Sequence, residues 1–129
     1  MAADRLRTLI PGSGHLVHMP AHIYARVGRW HDAVVANQTA IAADNDYLAT
    51  CGPNAKGVYP LGYVPHNPHF LWFAASMEGA SKVAQEAARA TANRVNPPDL
   101  MRQPGFPGLQ HDGMTPWCDN VRFGRWDEI

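Results

Sequence analysis

Eight residues in the first quarter of the chain, Ala25-Arg26-Val27-Gly28-Arg29-Trp30-His31-Asp32, return at its end as Val121-Arg122-Phe123-Gly124-Arg125-Trp126-Asp127-Glu128, displaced by 96 positions. Met77-Glu78-Gly79 supplies a weaker middle copy, with Ser81 where the aromatic residue stands in the other two. A glycine at the end of one apolar stretch, just before the next begins, is the signature of a helix stop. Recurrence of such a unit constrains the fold strongly, because each copy can bury its apolar face only against its neighbours. An all-α chain of antiparallel helix hairpins is therefore expected. Alanine contributes much of the 46% apolar content, as suits helices that approach closely.

The 129 residues allow a single domain spanning 1–129 with a modest core. Residues 4 to 10 read as the tail of a helix that Pro11-Gly12-Ser13-Gly14 ends. A helix is expected over Pro20 to Val27; Pro20 leaves open whether it reaches back to His15, since an interior proline removes one hydrogen bond. From Trp30 to about Leu48, the residues Trp30, Ala33, Val34, Asn37, Ala40, Ile41 and Asp44 keep the three-four spacing of a helix face. Residues 52 to 65 hold three prolines and three glycines and read as a loop long enough to serve as a lid. Asn67-Pro68 then opens a helix to Glu78, and an alanine-rich partner covers 80 to 95. A second Pro/Gly loop begins at Asn96, and Thr115-Pro116 starts a last helix running toward Phe123.

The glycine-aromatic turn followed by Ala33 and Ala40, with Ala21 and Tyr24 in the preceding helix, resembles the tetratricopeptide repeat (TPR). The likeness implies hairpins stacked as a short α-solenoid. The glycines lie 51 and 45 residues apart, longer than a standard repeat, so both intervals carry insertions that match the Pro/Gly loops. The chain opens on what reads as the tail of one second helix and closes as another starts. Such ends leave apolar faces uncovered, from which self-association, or a place within a longer array, is expected. Trp30 and Trp126 fall where the family puts a packing aromatic.

Histidines follow the repeat. Thirteen residues before each glycine stand His15, His66 and His111; ten before, His18, His69 and Met114; six before, His22, Phe73 and Cys118. On one continuous helix, residues spaced by three and seven lie within roughly 60° of each other, so His15, His18 and His22 would share a face. The family resemblance puts all nine residues along one concave groove. Neutral imidazole is a common ligand for zinc and copper, and thiolate or thioether adds affinity for softer ions. The preferred ligand set is His18, His22, His66 and His69, with His15 and His111 as further ligands or proton-transfer groups and Cys118 with Met114 as a soft end. Phe73, Arg26, Arg122, Tyr59 and Tyr63 are candidate groove contacts. For Arg26 and Arg122 a salt bridge to acidic neighbours is favoured, and for the tyrosines burial of the long loop is the competing role. His31 reads as a surface residue, and Cys51 has no assigned role.

Lysine plus arginine equals aspartate plus glutamate, 11 each, so no overall basic field favours nucleic acid. No apolar run approaches a membrane span, and the N-terminus lacks the apolar core of a signal peptide, so a cytoplasmic location is expected. Two isolated cysteines are too few for a disulfide framework. Two functions remain. One is a metal-binding repeat protein with a histidine-lined groove, whose catalysis, if any, is hydrolytic or oxidative and metal-dependent. The other is a metal-free scaffold that holds a peptide or protein segment in that groove. For catalysis, a general base would come from an unligated histidine or from Glu78 or Asp112; no His-Glu-x-x-His motif supplies one.

Overall fold

The computed structural model describes residues 2–51, 57–95 and 108–129, and among them every regular element is helical. Helix α1 (Ala2–Leu6) precedes α2 (Gly14–His18) and α3 (Pro20–Arg26). The long α4 (Trp30–Cys51) leads to a π-helical turn (Tyr59–Tyr63) that runs into α5 (Val64–Glu78). Then come α6 (Ser81–Val95), α7 (Gly108–Gly113), α8 (Thr115–Arg122) and a 3-10 turn at Trp126–Glu128.

The repeat glycines act as the sequence suggests. Gly28, Gly79 and Gly124 adopt φ of 74°, 82° and 67°, the left-handed region that side chains disfavour. At each, the next residue's N–H reaches back over the turn: Arg29 to Tyr24 O at 2.9 Å, Ala80 to Ala75 O at 2.9 Å, and Arg125 to Asn120 O at 2.8 Å. This bond satisfies a carbonyl that the ending helix would otherwise leave open. Three copies of one turn thus reverse the chain three times.

Packing is largely sequential. Helices α2 and α3 lie on α4, α4 on α5, α5 on α6, and α6 on both α7 and α8, while α2 also reaches α5. The core is mostly alanine, with Ala21, Ala33, Ala36, Ala74, Ala75, Ala84 and Ala87 around Tyr24, Val34 and Leu71. Small side chains bring the helix axes close, and the few larger ones fill what remains. Tyr24 is wholly buried, yet its hydroxyl still donates to Asp4 at 2.9 Å.

Several boundaries differ from expectation. Pro20 does not end the path of α2: Met19 keeps right-handed helical angles (φ −49°, ψ −37°), so α2 and α3 run on almost as one helix from Gly14. The cost is one missing N–H, at a residue that takes the first position of α3, where no partner is needed. The expected loop over 52 to 65 is helical from Val58, and α5 begins at Val64, ahead of Pro68. Pro65 sits in the first turn of α5, and Pro68, though interior, is buried along with Asn67, so packing offsets its lost bond. Residues 52–56 and 96–107, where the remainder of the first loop and nearly all of the second were expected, lie outside the described residues. The first helix ends at Leu6 rather than Ile10, leaving Leu9 and Ile10 exposed. Trp126, expected in the core, is 66% exposed because a 3-10 turn, not a packing helix, follows its glycine. Trp30 is half-buried, edge-on to Phe73. Among the described residues no helix is long and apolar enough to cross a membrane.

Candidate metal centre

Because α2 and α3 run on as one helix, His18 and His22 fall one turn apart on the same face, and α5 delivers His66 from the opposite side. The three Nε2 atoms meet. His18 Nε2 lies 2.9 Å from His22 Nε2 and 3.0 Å from His66 Nε2, and all three atoms fall within 4.8 Å of one another. His18 is wholly buried, His66 partly buried and His22 exposed, so the cluster runs from the core to the surface.

The tautomer of His18 follows from its other nitrogen. Asn37, on α4, donates its Nδ2 to Ala33 O at 2.7 Å, which turns its Oδ1 toward His18 Nδ1 at 2.8 Å. An amide oxygen only accepts, so Nδ1 carries the proton and Nε2 presents a bare lone pair to the cluster centre. Metal-ligating histidines are held in just this way, with the distal N–H on a fixed acceptor. Burial, aided by the neighbouring imidazoles, pushes His18 down to about 3 and His66 down to about 4, and burial lowers His22 as well. All three are therefore neutral and able to ligate near pH 7.

Without an ion the cluster is poorly satisfied. One lone pair on His18 Nε2 would have to accept from both neighbours. An ion bound at about 2.0–2.1 Å from each nitrogen in tetrahedral geometry sets the nitrogens about 3.3 Å apart. The two separations from His18 need to open by only a few tenths of an ångström, and the third, between His22 and His66, lies within 4.8 Å, so side-chain adjustment lets the residues fit such an ion. Phe70 stands edge-on to all three rings, at centroid distances of 5.0, 4.7 and 6.0 Å from His18, His22 and His66. His15 stacks near His18 at 5.8 Å and meets Tyr63 at a tilt at 4.1 Å, and its Nδ1 is buried with no partner among the described residues.

A second buried polar group braces the same helices. Asp44, two turns beyond Asn37 on α4, accepts from Tyr59 Oη at 2.7 Å and from Asn67 Nδ2 at 2.7 Å. Burial holds its carboxyl above the usual range despite both bonds, and the Tyr59 hydroxyl is pushed up to about 12, first by burial and then by Asp44. Asn67 follows His66 directly, so this contact fixes the start of α5 against α4. Gly14, at the head of α2, has no room for a side chain: a Cβ there would fall 2.0 Å from Asp44 Oδ1.

The expected four-histidine set is not brought together. His69 joins a different cluster, with its ring 5.3 Å from His111, its Nδ1 3.9 Å from Asp112 Oδ1, and Trp72 stacked at 5.5 Å. Burial lowers His69 and raises Asp112. Trp72 in turn donates to buried Asp119 at 3.0 Å, which pairs with Arg125 at 2.7 Å. Cys118 belongs to no convergent group of ligand atoms among the described residues, and Met114 is more than half exposed at the α7–α8 junction. Arg122 bonds Ser76 O and Met77 Sδ rather than an acid, and Arg26 has no acidic partner among the described residues. Tyr59 secures Asp44 and Tyr63 covers His15. Glu78 is taken by surface-exposed His31 at 2.8 Å. Residues missed by the sequence reading are Asn37, Asp44, Asn67 and Phe70. The first two were visible as polar residues on the inward stripe of α4. Against known protein families, curated proteins and solved structures, the chain has no match.

Proposed function

We propose that this is a metal-binding helical-repeat protein in which His18, His22 and His66 hold one transition-metal ion through Nε2. The observation that carries the reading is the convergence of the three Nε2 atoms, with Asn37 fixing the His18 tautomer. An all-nitrogen donor set suits zinc or Cu(II) better than Cu(I), and zinc is the preferred occupant. Three protein ligands leave a coordination position for water or an organic ligand, the arrangement of catalytic rather than closed structural zinc sites. Bound there, zinc would supply Lewis acidity and an activated water. His15, beside the triad and outside the ligand set, would be the group able to hold or pass a proton there. The same proposal takes the hairpins to stack in the TPR manner, supported by the sequential packing and the three matching glycine turns.

Metal analysis of protein purified without a histidine tag tests this directly. One equivalent of zinc or copper is expected, with affinity reduced at least 100-fold in His66→Ala and in His18→Ala. Failure to take up either metal after chelation and reconstitution would overturn the reading in favour of the metal-free scaffold.

A further inference from the structure

A cleft of about 350 Å³ opens beside the triad, lined by His22, Ala25, Arg26, Trp30, Phe70 and Phe73. Its size lies within the range of small-molecule sites. The walls are a run of edge-to-face rings: Trp30 on Phe73 at 5.6 Å, Phe73 on Phe70 at 5.6 Å, and Phe70 on His22 at 4.7 Å. His22 therefore belongs to both places, its Nε2 in the triad and its side chain in the cleft wall.

The polar member of the lining besides His22 is Arg26. The protein's other arginines near the glycine turns are engaged: Arg29 with Asp4 and Asp32, Arg122 with Ser76 O, Arg125 with Asp119. Arg26 is exposed and has neither hydrogen bond nor ion pair among the described residues. A guanidinium at the edge of an aromatic cleft recognises a planar anion in two-point fashion, and a carboxylate matches its fork.

We propose that the cleft takes a small carboxylate with an aromatic or similarly bulky apolar body, seated beside the metal centre. The carboxylate pairs with Arg26 and the body lies against Phe70, Phe73 and Trp30. Seated so, the ligand touches His22 and brings its adjacent atoms beside the triad. Its place beside a metal rests on the reading above.

The test is calorimetric titration of 3-phenylpropionate, and of its neutral amide, into zinc-loaded and zinc-free protein, with zinc binding measured on the same preparations. One equivalent of the carboxylate is expected to bind to the zinc-loaded protein, and the amide about fivefold to tenfold more weakly. Arg26→Gln should erase the preference for the carboxylate, while Phe73→Ala, at an exposed ring, should weaken both probes equally. Absence of carboxylate binding, equal binding of acid and amide, or a preference that survives Arg26→Gln would overturn the proposal. Zinc uptake without carboxylate binding defeats the cleft alone; carboxylate binding by a protein that takes up no zinc defeats the metal centre and leaves the cleft as an anion site.

Discussion

His18 with His66 and His69 with His111 are the same pair twice. In each, one histidine stands ten residues before its repeat glycine and its partner thirteen before the next. The rings meet alike, at 4.6 Å and 81° in the first pair and 5.3 Å and 86° in the second. What surrounds them differs. Six residues before the glycine the first copy has His22, and the second has Phe73; nine residues after it the first has Asn37, and the second Ala88. The first pair thus gains a third imidazole and a carboxamide that points its lone pair inward. The second instead has Asp112 beside it and a stacked Trp72 tied through Asp119 to Arg125. Repeat spacing sets histidine against histidine; the residues behind the rings decide whether they aim at one point or join the packing.

The largest effect should come from the second region, where the network carries stability. Asp119→Ala strands Arg125 in a largely buried place and removes the acceptor of Trp72 Nε1, and loss of one partner of such a pair costs about 3 kcal/mol or more. His66→Ala in chelated protein should cost less than half as much, because it relieves a crowded set of nitrogens. Urea unfolding monitored by tryptophan fluorescence compares the two, and the reverse order would break the contrast.

Acid should act more on the first region, where burial holds down three imidazoles against one, His69, in the second. With chelator present, His18 and His66 titrate at about 3 and 4 in the folded chain against about 6.5 unfolded. The unfolded state then binds more protons through this window, so stability falls as pH drops below about 6.5 and levels off once the folded values are passed. Asp44 has the opposite sign, its raised carboxyl favouring the fold on protonation at the acid end. Urea midpoints at several pH values between 7.5 and 4.5 should fall steadily; a flat profile would mean that the imidazoles are not held neutral by burial.

How much of this could be read from the chain alone follows the same division. Recurrence of the glycine turns is a local property, and the structure keeps it at all three positions. The pairing of His18 with His66 rests on the same periodicity. His69 could not be placed by it, since residues three apart on a helix differ by about 60°, and a central helix has a neighbour on each side. His66 turns toward α2, and His69 toward α7. Asn37 and Asp44 were visible as polar residues among apolar ones, but a single helix does not say which neighbour its inward face will meet. Prolines misled in another way: Pro65 and Pro68 read as loop and helix-start signals, and α5 starts ahead of both, whereas Pro20 opens α3 as expected.

A more modest change probes the carboxamide that separates the two clusters. Asn37→Ala removes the acceptor for His18 Nδ1 while leaving all three candidate ligands in place. Loss of such a support lowers metal affinity about 10- to 100-fold. Competition with a chromogenic zinc chelator reads this shift, and an unchanged affinity would remove Asn37 from the argument for the first cluster as the proposed site.

The smallest expected effect is the most discriminating. His69→Ala should leave zinc stoichiometry and affinity within about threefold of the unaltered protein, since its ring meets His111 and Asp112 rather than the triad. Native protein titrated with zinc should likewise bind one equivalent tightly, with any second equivalent at least about 100-fold weaker. The second pair lacks both the third imidazole and the fixed tautomer, so its nitrogens have no common target. Two equivalents of equal affinity, one of them lost in His69→Ala, would show that a repeated histidine pair with a nearby carboxylate suffices and that neither Asn37 nor His22 is what makes the difference.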